Sequence, residues 1–445
     1  MGGFLFGYDW VVIGGAKPFY ELFFGISKIP GMQGWAMSSA LVGCIAGAVF
    51  AGAFSDKYGR KKLLITASIL FSISAYGTGV AMNFSFFILF RIIGGIGIGI
   101  ASTISPMYIA EVTPAKIRGR FVSINQLTIV IGILVAQITN MLIAEKIPDL
   151  SSNNEILLSW NGQHGWRWMF WAELVPAFLF FICMFFVPES PRYLIKAGKD
   201  EMGTKILKKI GGESYAGNAL AGIQKTLSSD NIRFSKEQFM NKRFLSVLTI
   251  GIVLASFQQW CGINVIFNYA QEVFQSAGYS INDMFFNIVL TGSVNLIFTF
   301  VAMRFVDRLG RKKLLLIGSG SLAITYLILG GFYFINFNGW PSLLLIIMAI
   351  AIYAMSLAPV TWVVLSEIFP NKVRGVAMSI STLSLWISSS LLVLTFPYLN
   401  KILHTSGTFW VYGGICLAGF VFIFRKLPET KNKTLEEIEE ILLKY

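Results

Sequence analysis

Three ionisable side chains, Asp9, Arg91 and Glu173, lie inside long apolar stretches of the sequence. A charge at the centre of an apolar membrane span costs roughly 2.5–3.5 kcal/mol on insertion scales, so it is retained where it has a partner or a task. With Arg91 close, Asp9 is favoured in its ionised form; with Arg91 withdrawn and the surroundings dry, the protonated form is favoured. The three residues are therefore candidates for binding and releasing a proton. The alternative is a fixed ion pair that only sets helix packing.

Four neutral amide side chains lie within one apolar segment of the second half, SFQQWCGINVIFNYA. Gln258, Gln259, Asn264 and Asn268 can each donate and accept hydrogen bonds, and the central CGIN is expected to unwind the helix. Amides beside aromatic rings suit a neutral polyol, whose hydroxyls need hydrogen bonds and whose C–H faces stack on rings. Further amides and rings of this kind are Gln126, Asn295, Trp362 and Trp386. The alternative is that the amides bond across helices as packing contacts.

Charged motifs recur at constant offsets. SDKYGRKK at Ser55–Lys62 returns as VDRLGRKK at Val306–Lys313, 251 residues later. EVTPAKIRGR at Glu111–Arg120 returns as EIFPNKVRGV at Glu367–Val376, 256 residues later, and PESPRYL has a looser counterpart in PETK. The chain therefore consists of two copies of one unit. Two apolar copies joined by a polar linker are typical of secondary transporters, which bind their substrate between the halves.

Acidic and basic residues stand at matched positions in these motifs. The candidate gating residues are Asp56, Arg60, Glu111, Arg118, Glu189 and Arg192 in the first copy and Asp307, Arg311, Glu367, Arg374 and Glu429 in the second. We expect them to form an ionic lattice that holds the halves together on one side and breaks when they rock apart. The alternative is that these charges only orient the chain in the membrane.

The composition indicates an integral membrane protein. Hydrophobic residues make up 55% of the 445 residues, charged residues 13%, and the mean hydropathy is +0.66, whereas soluble domains carry roughly 25% charged residues. The length allows about twelve helical spans of ~20 residues. The net charge of +13 does not indicate nucleic-acid binding, because the basic residues lie between apolar segments. The predicted fold class is all-α, with twelve transmembrane helices in two pseudo-symmetric six-helix domains.

The predicted spans are 1–20, 34–54, 62–82, 85–109, 120–144, 167–187, 245–273, 282–304, 313–335, 341–366, 375–400 and 405–427. The loops that follow even-numbered spans are rich in Lys and Arg, so we expect these loops and both termini to be cytoplasmic. The polar stretch 198–243 predicts short amphipathic helices under the membrane, and the tail TLEEIEEILLKY one or two further amphipathic turns. The predicted divisions are an N-terminal domain 1–187, a cytoplasmic linker 188–244, a C-terminal domain 245–427 and a tail 428–445.

DKYGRKK, PESPRYL, QQWCGIN, EIFPNKVRG and PETK together resemble the signatures of the sugar porter family of the major facilitator superfamily, from end to end of the chain. FLFGYD, SPMYIAE and SINQ are most similar to bacterial xylose–proton symporters within that family. The resemblance implies a twelve-helix fold that works by rocking. It also implies proton coupling, with Asp9 matching the coupling aspartate that uncoupled glucose facilitators replace by Asn. Arg91 matches its arginine partner and Glu173 the second acid.

The resemblance further implies a sugar site. The pocket positions are Phe6, Gln126, Ile133, Gln258, Gln259, Asn264, Phe267, Asn268, Asn295, Trp362 and Trp386. Three of these depart from the xylose symporter pattern: Ile133 stands for Gln, Phe267 for Leu, and Asn268 for one Tyr of a gating pair that leaves only Tyr269. Ala358 and Leu385 are further departures, beside Trp362 and Trp386. The departures bear on sugar identity and leave the coupling residues unchanged.

The expected function is proton-driven import of a monosaccharide, a pentose or a hexose, across a bacterial inner membrane by a protein that works as a monomer. An uncoupled sugar facilitator and a sugar sensor without net transport are the alternatives. An enzyme is not expected, because no nucleophile or metal set is present. We expect no metal or cofactor, since Cys44, Cys183, Cys261, Cys416, His164 and His404 show no ligand spacing. The expected partners are the sugar, the proton and the lipid bilayer, without nucleic acid.

Overall fold

A computed structural model describes residues 1–148, 151–229, 242–337, 339–369 and 374–431, and in these ranges the chain is helical without strands. The helices are α1 Gly2–Phe23, α2 Pro30–Tyr58, α3 Arg60–Val80, α4 Phe84–Val112, α5 Ala115–Ile143, α6 Asn153–Leu158, α7 Trp166–Trp171, α8 Leu174–Phe186, α9 Pro191–Lys196, α10 Asp200–Ser229, α11 Lys242–Trp260, α12 Ile263–Asn268, α13 Ala270–Ser276, α14 Ile281–Leu309, α15 Arg311–Phe334, α16 Trp340–Met355, α17 Leu357–Ile368 and α18 Arg374–Lys426. A π-helical turn, Asn161–Gly165, precedes α7.

Twelve crossings result from these helices. Ten stretches in the described ranges are long and apolar enough to span a membrane. One of them, α18, has 53 residues and folds back at His404, where φ is 56°, so it supplies two crossings. Helix α1 carries Asp9, Lys17 and Glu21 and supplies the remaining one. The predicted all-α membrane fold with twelve helices is confirmed.

Two crossings of the second half are broken near their centres. Gly262, with φ 88°, separates α11 from α12, and Tyr269 separates α12 from α13. Glycine is required here for two reasons: the positive φ is strained for other residues, and a Cβ at position 262 would collide with the ring of Tyr412. Ser356 breaks the tenth crossing between α16 and α17. The expected unwinding at CGIN is confirmed, and broken helices of this kind are where transporters place substrate sites.

Small residues fix the position of α4 against α2. Gly43 and Gly47 of α2 approach the α4 backbone near Ile92 and Ile96, and Gly95 of α4 approaches Ala40 of α2 in return. Such spacing lets two helix backbones pack closely in a membrane. Arg91 lies one turn before Gly95, so this contact sets the orientation of Arg91 within the first half.

The linker contains α9 and α10, the latter with a non-helical Gly212 at φ 83°. Ile195, Leu207 and Ala216 form a small apolar cluster between the two helices, in agreement with the predicted amphipathic helices. Residues 230–241 and the tail TLEEIEEILLKY lie outside the described residues. The division into domains at 187, 244 and 427 remains a prediction.

Candidate proton and sugar sites between the two halves

Asp9, Arg91 and Glu173 meet inside the first half. Arg91 Nη1 forms an ion pair with Asp9 Oδ1, and both residues are almost completely buried, at 2% and 0% exposure. Glu173 is also buried, at the junction between α7 and α8, and interacts electrostatically with both Asp9 and Arg91. The structure therefore brings together the three residues that the sequence picked out.

One cation faces two acids in this cluster. Asp9 Oδ2 and Glu173 Oε1 have no hydrogen-bond partner among the described residues, although both are buried. Gly94 leaves room for the free Asp9 oxygen, since a Cβ there would lie 3.0 Å from Oδ2. An acid with a free oxygen in a dry site can take up a proton, and Arg91 can then turn to the other acid. The geometry thus suits reversible protonation.

The predicted amides form a connected chain along the broken seventh crossing. Gln258 Nε2 donates to the carbonyls of Leu357 (3.3 Å) and Ala358 (3.1 Å) at the break of the tenth crossing. Gln259 Nε2 donates to Gln258 Oε1 at 3.3 Å, and Asn264 Nδ2 donates to Gln259 Oε1. Asn268 Nδ2 donates to the Asn264 carbonyl at 3.0 Å. Each amide thus donates at least one hydrogen bond to the protein, as packing contacts would, and together they form one continuous polar strip.

Aromatic rings from both halves form a cluster beside this region, where Trp10 and Asn268 line the same small cavity. The ring centroid of Trp386 lies 5.7 Å from that of Phe6 and 6.0 Å from that of Trp10, and the Phe6 and Trp10 centroids are 6.0 Å apart. The Trp386 Nε1–H is buried without a hydrogen-bond partner among the described residues. A buried indole normally finds an acceptor, so this donor is free for a ligand hydroxyl. Phe6 and Trp10 flank Asp9 on α1, so the helix that carries Asp9 also carries two of the three rings.

The other predicted pocket residues occupy surrounding helices. Gln126 and Ile133 are half-buried on α5, Asn295 is buried on α14, Phe267 is buried on α12, and Trp362 is half-buried on α17. No hydrogen bond among the described residues joins Gln126 or Asn295 to the amide strip. A cavity of about 10 Å³ beside Arg91, Trp10 and Asn268 has room for about one water molecule.

The charged motifs of the first half form a compact cluster at one end of the molecule, called here the basic face. Arg60 forms ion pairs with Asp56 at 3.1 Å and Glu111 at 2.8 Å. Glu189 Oε1 accepts the backbone N–H of Arg60 at 3.0 Å, so it caps α3. Ser190 Oγ donates to Glu111. The predicted acids and Arg60 therefore lie together.

The second half repeats the Arg60–Glu111, Glu189 and Ser190 contacts of this cluster. Arg311 forms an ion pair with Glu367 at 3.0 Å, and Glu429 accepts the backbone N–H of Arg311 at 2.9 Å. Thr430 Oγ1 donates to Glu367 at 2.6 Å, as Ser190 does to Glu111. The capping carboxylates also explain the glycine before each arginine. A Cβ at Gly59 or Gly310 would collide with Glu189 or Glu429, and both glycines have φ near 90°.

The expected ionic lattice across the halves stays a prediction. The described pairs Arg60–Asp56, Arg60–Glu111 and Arg311–Glu367 each join helices of the same half. Arg192 is exposed and makes no ion pair with a described side chain. The side chains of Arg118, Asp307 and Arg374 lie outside the described residues.

The halves are joined instead at the end away from the basic face, called here the opposite face. Lys17 of α1 forms an ion pair with Glu272 of α13. The Asn282 side chain of α14 bonds both backbone groups of Ile147, at 3.1 and 2.7 Å. Sequence reasoning missed Trp10, Lys17 and Glu272. Trp10 and Lys17 are visible in the sequence, since one stands four residues after Phe6 and the other is a charge within an apolar helix.

Known proteins resemble this chain over its whole length. A family model described as sugar (and other) transporter matches residues 1–442. The arabinose-proton symporter of Bacillus subtilis is 38% identical over 445 residues, covering 100% of this chain and 93% of that protein. The D-xylose-proton symporter of Escherichia coli is 37% identical over 471 residues, covering 99% and 94%. The inward open structure of the E. coli xylose transporter XylE superposes with a TM-score of 0.85 at 36% identity, covering 99% and 97%. The chain thus belongs to the sugar transporter family.

Proposed function

We propose that the chain is a proton-coupled monosaccharide symporter that imports a pentose or a hexose by alternating access. The buried Asp9–Arg91–Glu173 cluster carries the proposal, because one cation between two acids is suited to exchanging a proton. The relatives named as arabinose- and xylose-proton symporters support the same function.

Sugar binding is assigned to the interface between the amide strip and the aromatic cluster. Gln258, Gln259, Asn264 and Asn268 offer donors and acceptors, and Trp386 offers an unpaired indole N–H. A sugar hydroxyl that replaces one amide–amide bond keeps each group satisfied, so binding costs little in lost hydrogen bonds. Trp10 adjoins both this interface and Asp9, which connects sugar occupancy to the proton site.

The proposed cycle couples the two sites through α1. With Asp9 ionised, Arg91 holds α1 to α4; protonation removes that attraction and leaves Glu173 as the remaining anionic partner of Arg91. Helix α1 is then free to shift, together with Phe6 and Trp10, against Trp386 of the second half. In this proposal the proton controls whether the halves close around the sugar.

The basic face is assigned to the cytoplasm, because Lys and Arg concentrate in its short loops. Both termini then lie inside, the linker lies beneath a bacterial inner membrane, and the protein works as a monomer. The domains are those predicted from the sequence, with boundaries at 187, 244 and 427. The match to an inward open relative supports this orientation, since the halves meet at the opposite face.

Uptake by the purified protein in liposomes tests the function. With the interior more alkaline than the outside, labelled arabinose, xylose or glucose should accumulate above its external concentration, and an uncoupler should abolish the accumulation. Equilibration without accumulation would favour the uncoupled facilitator. Binding without any uptake would favour the sugar sensor.

A further inference from the structure

Lys17 is a charged residue that the proton and sugar sites do not use. It lies eight residues after Asp9 on α1, about 12 Å further toward the opposite face. Only 1% of its surface is exposed. A lysine buried this deeply is costly unless carboxylates pair with it, so its partners define its role.

Two carboxylates share the Lys17 ammonium, one from each half. Glu21 Oε1, one turn on in the same helix, lies 3.0 Å from Lys17 Nζ. Glu272 of α13 forms the second ion pair, and the Tyr269 ring lies 5.6 Å from Nζ. Gln33 Nε2 donates to the other Glu21 oxygen at 2.8 Å, which anchors Glu21 to the first half.

Glu272 belongs mechanically to the second half. Tyr269 Oη donates to the Val393 carbonyl at 2.6 Å, and Tyr333 Oη donates to the Val273 carbonyl at 2.9 Å. Both bonds fix α13 to other helices of its own half. One turn before Lys17, Gly14 packs directly against the Phe267 carbonyl. The Lys17–Glu272 pair therefore bridges two bodies at a point of close backbone approach.

The pair borders a cavity of about 550 Å³ on the opposite face. Both halves line this cavity, the first through Lys28 and the second through Gln271 and Lys401. Glu272 Oε2 has no hydrogen-bond partner among the described residues. Solvent next to the pair can hydrate both ions as the halves separate, so the pair can break and re-form.

We infer that Lys17 and Glu272 form a latch that holds the opposite face closed, and that the latch must break in every transport cycle. This inference rests on the proposed function, because it assumes that the halves rock. Without Lys17, Glu21 and Glu272 become like charges that repel each other. Loss of the lysine therefore favours the form that is open at the opposite face.

Spin labels at Lys28→Cys and Lys401→Cys measure the opening, since both residues are exposed and lie on opposite walls of the cavity. Pulsed electron spin resonance on the full chain in lipid, with Cys183 replaced by Ala, gives the distance distribution. Long distances between the two labels report the form open at the opposite face, and short distances the closed form. Lys17→Met should raise the ratio of open to closed molecules about tenfold, equivalent to ~1.4 kcal/mol. Glu272→Gln should shift it in the same direction, and the reversal Lys17→Glu with Glu272→Lys should restore it.

Glu21→Gln is the matched control, because Glu21 pairs with the same ammonium without crossing between halves. It should leave the distribution unchanged. Equal shifts of the distance distribution in Glu21→Gln and Glu272→Gln would overturn the latch. The latch would also be overturned if neither Lys17→Met nor Glu272→Gln shifted the distribution. Labelled-sugar uptake by the unsubstituted chain separates the two proposals: uptake driven by a pH gradient with no shift in the variants rejects the latch alone, whereas absence of uptake rejects the proposed function.

Discussion

The two halves of the molecule share their basic-face chemistry and differ in their interior chemistry. Arg60, Glu111 and Glu189 of the first half have direct counterparts in Arg311, Glu367 and Glu429, with the same bonds between the same atom types. These bonds stiffen the junctions between neighbouring helices in each half. A six-helix body that rocks as a unit needs such junctions, whichever half it is.

The unduplicated residues divide the chemistry between the halves. Asp9, Arg91 and Glu173 are buried in the first half, whereas the amide strip and Trp386 belong to the second. Duplicated bonds thus maintain the scaffold, and unduplicated residues are assigned to the proton on one side and the sugar on the other. The Lys17–Glu272 pair joins the two halves and has no duplicate among the described residues.

The sharpest test of the duplicated clusters compares Arg60→Ala with Arg311→Ala. Removing one partner of a buried ion pair costs about 3–5 kcal/mol. Arg60 has a 7% exposed side chain, against 15% for Arg311, so the Arg60 variant should lose more stability. Thermal unfolding in detergent measures this loss. Sugar affinity should stay near normal in both variants, and a large loss of affinity in a folded variant would contradict a scaffold role.

Asp9→Asn tests the first half. The amide keeps the shape of the side chain but carries no proton, so accumulation should disappear while sugar exchange across the membrane continues. One proton moving with the field supplies roughly 2.3 kcal/mol per 100 mV, which supports about fifty-fold accumulation. Counterflow and uphill uptake in liposomes distinguish the two activities. Sugar concentration against its gradient by this variant would refute proton coupling through Asp9.

Gln259→Ala tests the second half. Gln259 lies between Gln258 and Asn264 in the amide strip, so its loss leaves a sugar hydroxyl and an amide unpaired. Such losses cost about 1–3 kcal/mol, a roughly 5- to 150-fold rise in Kd. Isothermal calorimetry measures it, with Gln224→Ala as control because that amide lies on the exposed linker helix. Unchanged binding would assign Gln259 to helix packing alone.

Selectivity is the smallest expected effect. Ile133 places an apolar group where the xylose pattern has a polar Gln, and Phe267 a larger apolar group where it has Leu, so we expect the wall to tolerate the extra hydroxymethyl group of a hexose. Discrimination by an apolar wall is worth about 1–3 kcal/mol, and we expect glucose to compete at least as well as xylose. Ile133→Gln with Phe267→Leu should move the preference toward xylose. Competition in which glucose and galactose are inert against bound xylose would reject the hexose interpretation.

Asn268 introduces an opposing effect on selectivity. Asn268 stands where the xylose symporter pattern has Tyr. Its side chain donates to the Asn264 carbonyl in this structure. The amide can also bond a sugar hydroxyl that a Tyr ring would exclude. Asn268→Tyr should therefore narrow the range of accepted sugars and polyols. A panel of competitors, tested against the unsubstituted chain, measures that range.

Much of the fold follows from local sequence patterns. Apolar segments long enough to span a membrane must form helices there, because each backbone N–H and C=O needs a partner inside the segment. The constant offsets between the charged motifs establish two copies. The charges of Asp9, Arg91 and Glu173 indicate a functional site, because a charge buried in an apolar span is costly.

Tertiary structure decided which charged groups meet. Arg60 and Glu189 are 129 residues apart and Lys17 and Glu272 are 255 apart, and no periodicity relates such distant positions. Helix packing forms the described basic-face ion pairs within each half, and it pairs Lys17 of the first half with Glu272 of the second. The sequence alone therefore determined that these charges need partners, because of the cost of burying them, and the packing of the helices determined the partners.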